Sequence, residues 1–137
     1  SGVRLLAETA AEFVRSQRWP VEAIVPVPPS RETRVFQPLQ ILARALGESL
    51  GIPVQSDCIA KTRSTPELKS VTAYDERLKL LDGAYAVFAK PIIGRKVLLL
   101  DDLYRSGATL KAAYSTIAKS GVSEVYVLAI TKTRVKR

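Results

Sequence analysis

The chain has 137 residues, 47% hydrophobic and 25% charged, with 21 Lys and Arg against 13 Asp and Glu for a formal net charge of +8. This balance belongs to folded soluble domains and excludes a disordered chain; no apolar run approaches the ~20 residues that cross a bilayer, and no secretory signal is visible. With no histidine and one cysteine, the chain cannot form a Ser/His/Asp or Cys/His nucleophilic site, a His-rich metal site or an internal disulfide.

Taken in chain order, Leu6, Ala10, Phe13 and Val14 mark the buried face of a first helix that stops before Pro20. Ala23 to Val27, AIVPV, reads as a short buried strand. Leu39, Leu42, Ala43, Leu46 and Leu50 recur at helical spacing, and Gly51 with Pro53 ends that second helix. A strand is expected around Val54 to Ala60, with Cys58 as a buried, inert thiol. The polar stretch KTRSTPELKSVTAYDER, 61–77, ends in a helix whose start is marked by the capping-box spacing of Thr72 and Asp75. Strands follow at Ala84 to Phe88 and Lys96 to Asp101. A helix then runs from about Ala108 to Ser120, with Leu110, Ala113, Tyr114 and Ile117 as its buried stripe, before a last strand from Val125 to Thr131. The basic TKTRVKR at 131–137 reads as a solvated tail.

The strands are continuously aliphatic, which implies burial on both faces, and the helices between them imply right-handed βαβ crossovers in a parallel sheet. The expected fold class is α/β: an open, doubly wound parallel sheet flanked by helices. A chain of this length has one core, so residues 1–137 are expected to form a single domain, soluble and cytoplasmic. Ser1-Gly2, without a methionine, reads as a tag remnant, with the natural protein starting earlier.

One stretch carries chemistry. In VLLLDDLYRSGATL, Val97 to Leu110, an aliphatic strand ends in two aspartates, and a small hydroxyl-bearing loop leads into a helix. Open α/β sheets bind ligands beyond the carboxyl ends of their strands. The unpaired amides and dipole of the following helix N-terminus favour a phosphate. Gly107 lets the backbone come close to it, while Ser106 and Thr109 supply hydroxyl donors. Two carboxylates about 6 Å apart repel by about 3 kcal/mol at an effective dielectric near 20, so Asp101 and Asp102 call for a partner such as ribose hydroxyls or a magnesium ion. A bare acidic pair after a strand is more often a cap or a solvated loop; the loop that follows changes the reading. Neither GxxxxGK[ST] nor a GxGxxG between strand and helix is present, which sets aside Walker-type and dinucleotide sites. The cationic excess favours polyanionic partners, either nucleic acid or a phosphorylated small molecule.

VLLLDDLYRSGAT resembles the phosphoribosyl-diphosphate (PRPP) motif of type I phosphoribosyltransferases. VPVPPSRETRVFQPLQILARAL, Val25 to Leu46, and KTRSTPELKSVTAYDERLKLLDGAYAV, Lys61 to Val87, are similar to the competence-associated ComF-like branch, and the resemblance runs from about residue 23 to residue 131. It implies that Asp101 and Asp102 are the catalytic pair at the ribose hydroxyls and a direct or water-mediated Mg2+ site. It further implies that Arg105, Ser106, Gly107, Ala108 and Thr109 enclose the 5-phosphate. Ser30, Arg31 and Arg34 after the first strand would hold the pyrophosphate, and Lys61, Arg63 and Lys69 would belong to a flexible loop that closes over the substrate. The implied reaction transfers the phosphoribosyl group to a nitrogenous acceptor with release of pyrophosphate and needs no covalent nucleophile. The alternative is a non-catalytic PRPP-sensing or DNA-uptake-associated module. Arg105 stands where purine-salvage relatives often carry an acidic residue, which argues against a hypoxanthine or guanine enzyme of the usual type. Tyr104 and Trp19 are assigned to packing. Nucleic acid and a second copy of the chain stay open as partners; a membrane is not expected.

Overall fold

A computed structural model of the chain describes residues 2–28, 38–61, 85–102 and 107–130. Their elements are α1 (Gly2–Ser16), β1 (Ala23–Pro26), α2 (Pro38–Leu50), β2 (Ile59–Lys61), β3 (Tyr85–Val87), β4 (Lys96–Asp102), α3 (Gly107–Ala118) and β5 (Glu124–Ile130). The helix expected from Thr72 and Asp75 lies outside the described residues, as do Tyr104 and the basic tail.

β1, β4 and β5 form a parallel sheet in the order β1-β4-β5. Ala23 pairs with Val97 and Pro26 with Leu100, while β5 runs beside β4 from Lys96–Glu124 to Asp102–Ile130. β1 and the aliphatic run of the central strand β4 are buried on both faces, as their unbroken apolar sequence requires. One face carries Ile24, Leu98 and Leu100 against Ala10, Ala11 and Val14 of α1 and Ala43 and Leu46 of α2. The other carries Ala23, Val25, Val97 and Leu99 against Ala113 and Ile117 of α3, together with Ile59, Tyr85 and Ile92. The fold is therefore an open parallel sheet with helices on both faces.

Pro26 sits in a strand without disrupting a ladder. Ile24 bonds sideways to the 53–55 segment through both its amide and its carbonyl, so the donor that Pro26 lacks points to that side, past the last bond at Gln55. The amide of Val27 points the other way and donates to Leu100 O at 2.8 Å.

Three expectations need correction. The strand expected over 54–60 is divided: Val54 bridges Ile24 in parallel, a turn occupies 56–58, and β2 begins at Ile59. β2 and β3 pair antiparallel in their own two-stranded sheet, Ile59 with Val87 and Lys61 with Tyr85, because one strand leads out to residues 62–84 and the other returns from them. On the helices, small residues take the places assigned to aromatic ones. α1 buries Ala7, Ala10, Ala11 and Val14, while Phe13 is 43% exposed and meets Trp19 edge-on at 5.5 Å between ring centroids. On α3, Tyr114 is exposed while Ala113 and Ile117 are buried. An alanine face lets α1 approach α2 and the sheet more closely than a phenylalanine would. Trp19 packs as expected, half-buried and tilted against Tyr126 at 5.3 Å.

Both N-terminal helices end in left-handed caps. In α1, Trp19 N–H donates to Val14 O and Arg18 N–H to Arg15 O, with Arg18 at φ 57°; in α2, Ile52 N–H donates to Gly47 O with Gly51 at φ 70°. These are Schellman-type closures that satisfy the last carbonyls. The Arg15 guanidinium also donates to Ser49 O, tying the end of α2 to α1.

Candidate functional site

The expected site lies where β4 outruns β1. Pairing of β1 with β4 stops at Pro26–Leu100, with one further bond from Val27, whereas β4 continues beside β5 through Asp101–Ala129 and Asp102–Ile130. The acidic pair therefore occupies the last two positions of the central strand, at the carboxyl edge of the sheet.

The helices that follow β1 and β4 lie on opposite faces of the sheet at this edge. α2, which follows β1, packs on the face of Ile24, Leu98 and Leu100; α3, which follows β4, packs on the face of Val97 and Leu99. Neighbouring strands whose chains depart to opposite faces form a topological switch point, the place where open α/β sheets receive ligands.

Alternation along a strand sends adjacent side chains to opposite faces. Asp101 continues the row of Val97 and Leu99 toward α3 and is 1% exposed; Asp102 continues the row of Leu98 and Leu100 and is half-buried. Gly107, Ala108 and Thr109 form the first turn of α3, with Gly107 exposed and the Thr109 side chain buried. The structure thus brings Asp101, Asp102 and the N-terminal turn of α3 to one end of the sheet. Lys61 is the last residue of β2, paired with Tyr85. Ser30, Arg31, Arg34, Arg63, Lys69, Arg105 and Ser106 lie outside the described residues. The burial of Thr109 was not expected from sequence; its signal is the four-residue step that puts it on the stripe of Ala113 and Ile117.

Cys58 is buried, and its thiol pKa is raised by that burial and, secondarily, by the Asp57 carboxylate, so the sulfur stays protonated at neutral pH. This is the environment of an inert thiol. Among the described residues no three Asp, Glu, His or Cys side chains gather into a metal cage. The carboxylates at the end of β4 are those of Asp101 and Asp102. A donor set of one or two carboxylates fits magnesium, which completes its shell with water and substrate phosphates.

No family model matches the chain. In sequence it is 28% identical over 115 residues to competence protein F of Haemophilus influenzae, covering 81% of this chain and 50% of that protein. It is also 28% identical over 124 residues to a uracil phosphoribosyltransferase of Streptomyces avermitilis, covering 90% of this chain and 56% of that one. The chain spans about half the length of these relatives. In structure it matches glutamine PRPP amidotransferase from B. subtilis with a TM-score of 0.61 at 16% identity, over 94% of this chain and 26% of that one. It matches a hypoxanthine phosphoribosyltransferase from Staphylococcus aureus with a TM-score of 0.55 at 10% identity, over 98% and 68% of the two chains. The chain carries the type I phosphoribosyltransferase fold and is similar in sequence to the ComF-like branch of that group.

Proposed function

We propose that residues 1–137 form one phosphoribosyltransferase-like domain that binds PRPP with Mg2+ and transfers its phosphoribosyl group to a nitrogenous acceptor. The observation that carries this reading is the position of Asp101 and Asp102, at the switch point between β1 and β4 and one loop before the first turn of α3.

In this reading the acidic pair serves the ribose hydroxyls. Arg105, Ser106, Gly107, Ala108 and Thr109 bind the 5-phosphate with backbone amides and hydroxyls. Ser30, Arg31 and Arg34 hold the pyrophosphate, for which forked guanidinium donors are suited. Lys61, Arg63 and Lys69 belong to the segment that closes over the substrate and excludes water. The acceptor nitrogen attacks the anomeric carbon; the bond from that carbon to the pyrophosphate oxygen breaks, the electron pair leaves with pyrophosphate, and the acceptor gives up a proton. Asp101 and Asp102 would hold magnesium directly or through water, and the ion would supply charge neutralisation for the leaving group. The remaining work is orientation and electrostatics, which a chain without histidine can perform.

A second reading is a PRPP-sensing or DNA-uptake-associated module without turnover. It is favoured by the likeness to competence protein F and the net charge of +8. Pyrophosphate release from PRPP, measured with magnesium over a panel of bases and amines, separates the two. Release with one of these acceptors, lost in Asp102→Asn, is the expected result. PRPP binding without release for any acceptor would leave the sensor, and retention of DNA with a steep salt dependence indifferent to PRPP would mark the DNA-associated module.

A further inference from the structure

β5 lies at an open edge of the parallel sheet. Ser123 N–H donates to Arg95 O at 2.8 Å, and the register with β4 continues from Lys96–Glu124 to Asp102–Ile130. Peptide groups alternate in direction along a strand, so Val125, Val127 and Ala129 turn theirs to β4. Those of Glu124, Tyr126, Leu128 and Ile130 point away from the sheet, four N–H donors and four C=O acceptors along about 20 Å of chain. Among the described residues none bonds to that side.

The side chains leave this edge open to another strand. Natural edges are blunted by lysine, proline, a bulge or a covering element. EVYVLAI contains neither lysine nor proline, pairs with β4 without a bulge, and has one charge, at Glu124. Val125 and Val127 border one core cluster and Tyr126, Leu128 and Ile130 the other, all of them half-buried. Trp19 against Tyr126, and the 43% exposed Phe13 against Trp19, extend the apolar strip on the α1 side.

Symmetry and charge decide which strand fits. The same edge of a second copy, turned antiparallel about a two-fold axis through Val127, sets Tyr126 opposite Leu128 and Glu124 opposite Ile130, so the outward groups of both copies all pair. It also brings the acidic start of each strand to the basic continuation of the other, since the sequence runs on from Ile130 through Lys132 and Arg134. In a parallel arrangement Glu124 would meet Glu124, and outward groups would stand level where a parallel ladder needs them staggered. The net charge of +8 on each copy is spread over the whole chain and screened beyond about 8 Å at physiological salt, so it does not oppose this contact strongly.

We propose that the outer edge of β5 is the interface with a second copy of this chain, the two sheets joining antiparallel through Val127. The carboxyl edges that end in Asp102 then lie at opposite ends of the joined sheet, and both stay open. About ten residues a side is fewer than a standard interface holds, which places the affinity at about the micromolar level.

Sedimentation equilibrium in about 0.15 M salt is expected to show the 15.0 kDa chain passing to twice that mass between low and high micromolar concentration. A native chain that stays monomeric overturns the proposal. So does one that dimerises only after residues 131–137 are removed, which would assign the edge to the chain's own end. Leu128→Pro removes an outward N–H from each copy and no bond to β4, so it is expected to fold as the native chain does and to dimerise about tenfold or more weakly; an unchanged dimer excludes this edge. The register is read from disulfides in a Cys58→Ala background, which also decide the edge should Leu128→Pro fail to fold. Val127→Cys puts the two substituted positions in a non-hydrogen-bonded pair with Cα atoms about 4.5 Å apart, within disulfide reach, and is expected to cross-link on oxidation. Val125→Cys puts its two about 14 Å apart and is expected not to. Equal cross-linking of the two variants, or none in Val127→Cys, contradicts the two-fold through Val127.

Discussion

Replacing Gly47 by alanine sets two effects of opposite sign against each other. Alanine exceeds glycine in a helix interior by about 1 kcal/mol, so at an open position the change would stabilise α2. At Gly47 the added Cβ would lie 2.8 Å from Val54 Cγ2 and 2.9 Å from the Ile52 carbonyl oxygen. Neither neighbour can retreat cheaply. Valine has little χ1 freedom, and the Ile52 carbonyl belongs to backbone that is fixed on both sides. Ile52 N–H donates to Gly47 O at 3.0 Å, Ile24 N–H to Pro53 O at 2.9 Å, and Gln55 N–H to Ile24 O at 2.8 Å. Relieving the clash moves the 52–55 segment away from α2 or β1 and lengthens at least one of these bonds. Overpacking costs about 1–3 kcal/mol and a weakened hydrogen bond about 1 more. After the propensity gain is subtracted, Gly47→Ala is expected to lose about 1–3 kcal/mol. Urea unfolding followed by far-ultraviolet circular dichroism should show a lower midpoint with an unchanged slope, and thermal unfolding a midpoint several degrees lower. A variant as stable as the parent would refute the close approach of α2 to the 52–55 segment.

At the end of α1 the opposite sign is expected. Arg18 closes the helix at φ 57°, a conformation that costs a side-chain-bearing residue about 1–2 kcal/mol, so Arg18→Gly should raise stability by about 0.5–1 kcal/mol in the same unfolding assay; a loss would mean that the Arg18 side chain contributes more than its strain. Cys58 should react with a thiol reagent at pH 7 far more slowly in the native protein than in urea, and equal rates would contradict its burial. Because its folded pKa is raised, the unfolded chain releases that proton first as pH rises. The thiol's contribution to stability is complete below the unfolded pKa of about 8.5 and declines above it. Cys58→Ala should lack this part of the alkaline decline.

The sequence carried the parallel sheet most clearly in its unbroken aliphatic runs. AIVPV and KVLLLDD have no polar alternation, and both are buried on both faces. The acidic pair was legible because charges ending such a run are costly to place elsewhere. Side-chain periodicity placed Ala10, Val14, Ala113 and Ile117 on the buried helix faces but added Phe13 and Tyr114, which are exposed; spacing marks a face but not how closely its partner approaches. Nor did local pattern reveal that β2 and β3 pair with each other, since three-residue strands take their partner from the path of the chain between them. At the site, the strand ends and the first turn of α3 were expected, whereas the separate environments of Asp101 and Asp102 follow only once β4 is known to remain paired through Asp102.

Calorimetric titration of the native chain and of Asp102→Asn with PRPP in magnesium buffer tests most directly whether the carboxyl edge of β4 is the ligand site. Saturable one-site binding to the native chain, weaker by about tenfold or more in Asp102→Asn, is the expected result. Equal affinities in the two proteins, or no binding to the native chain, would contradict it.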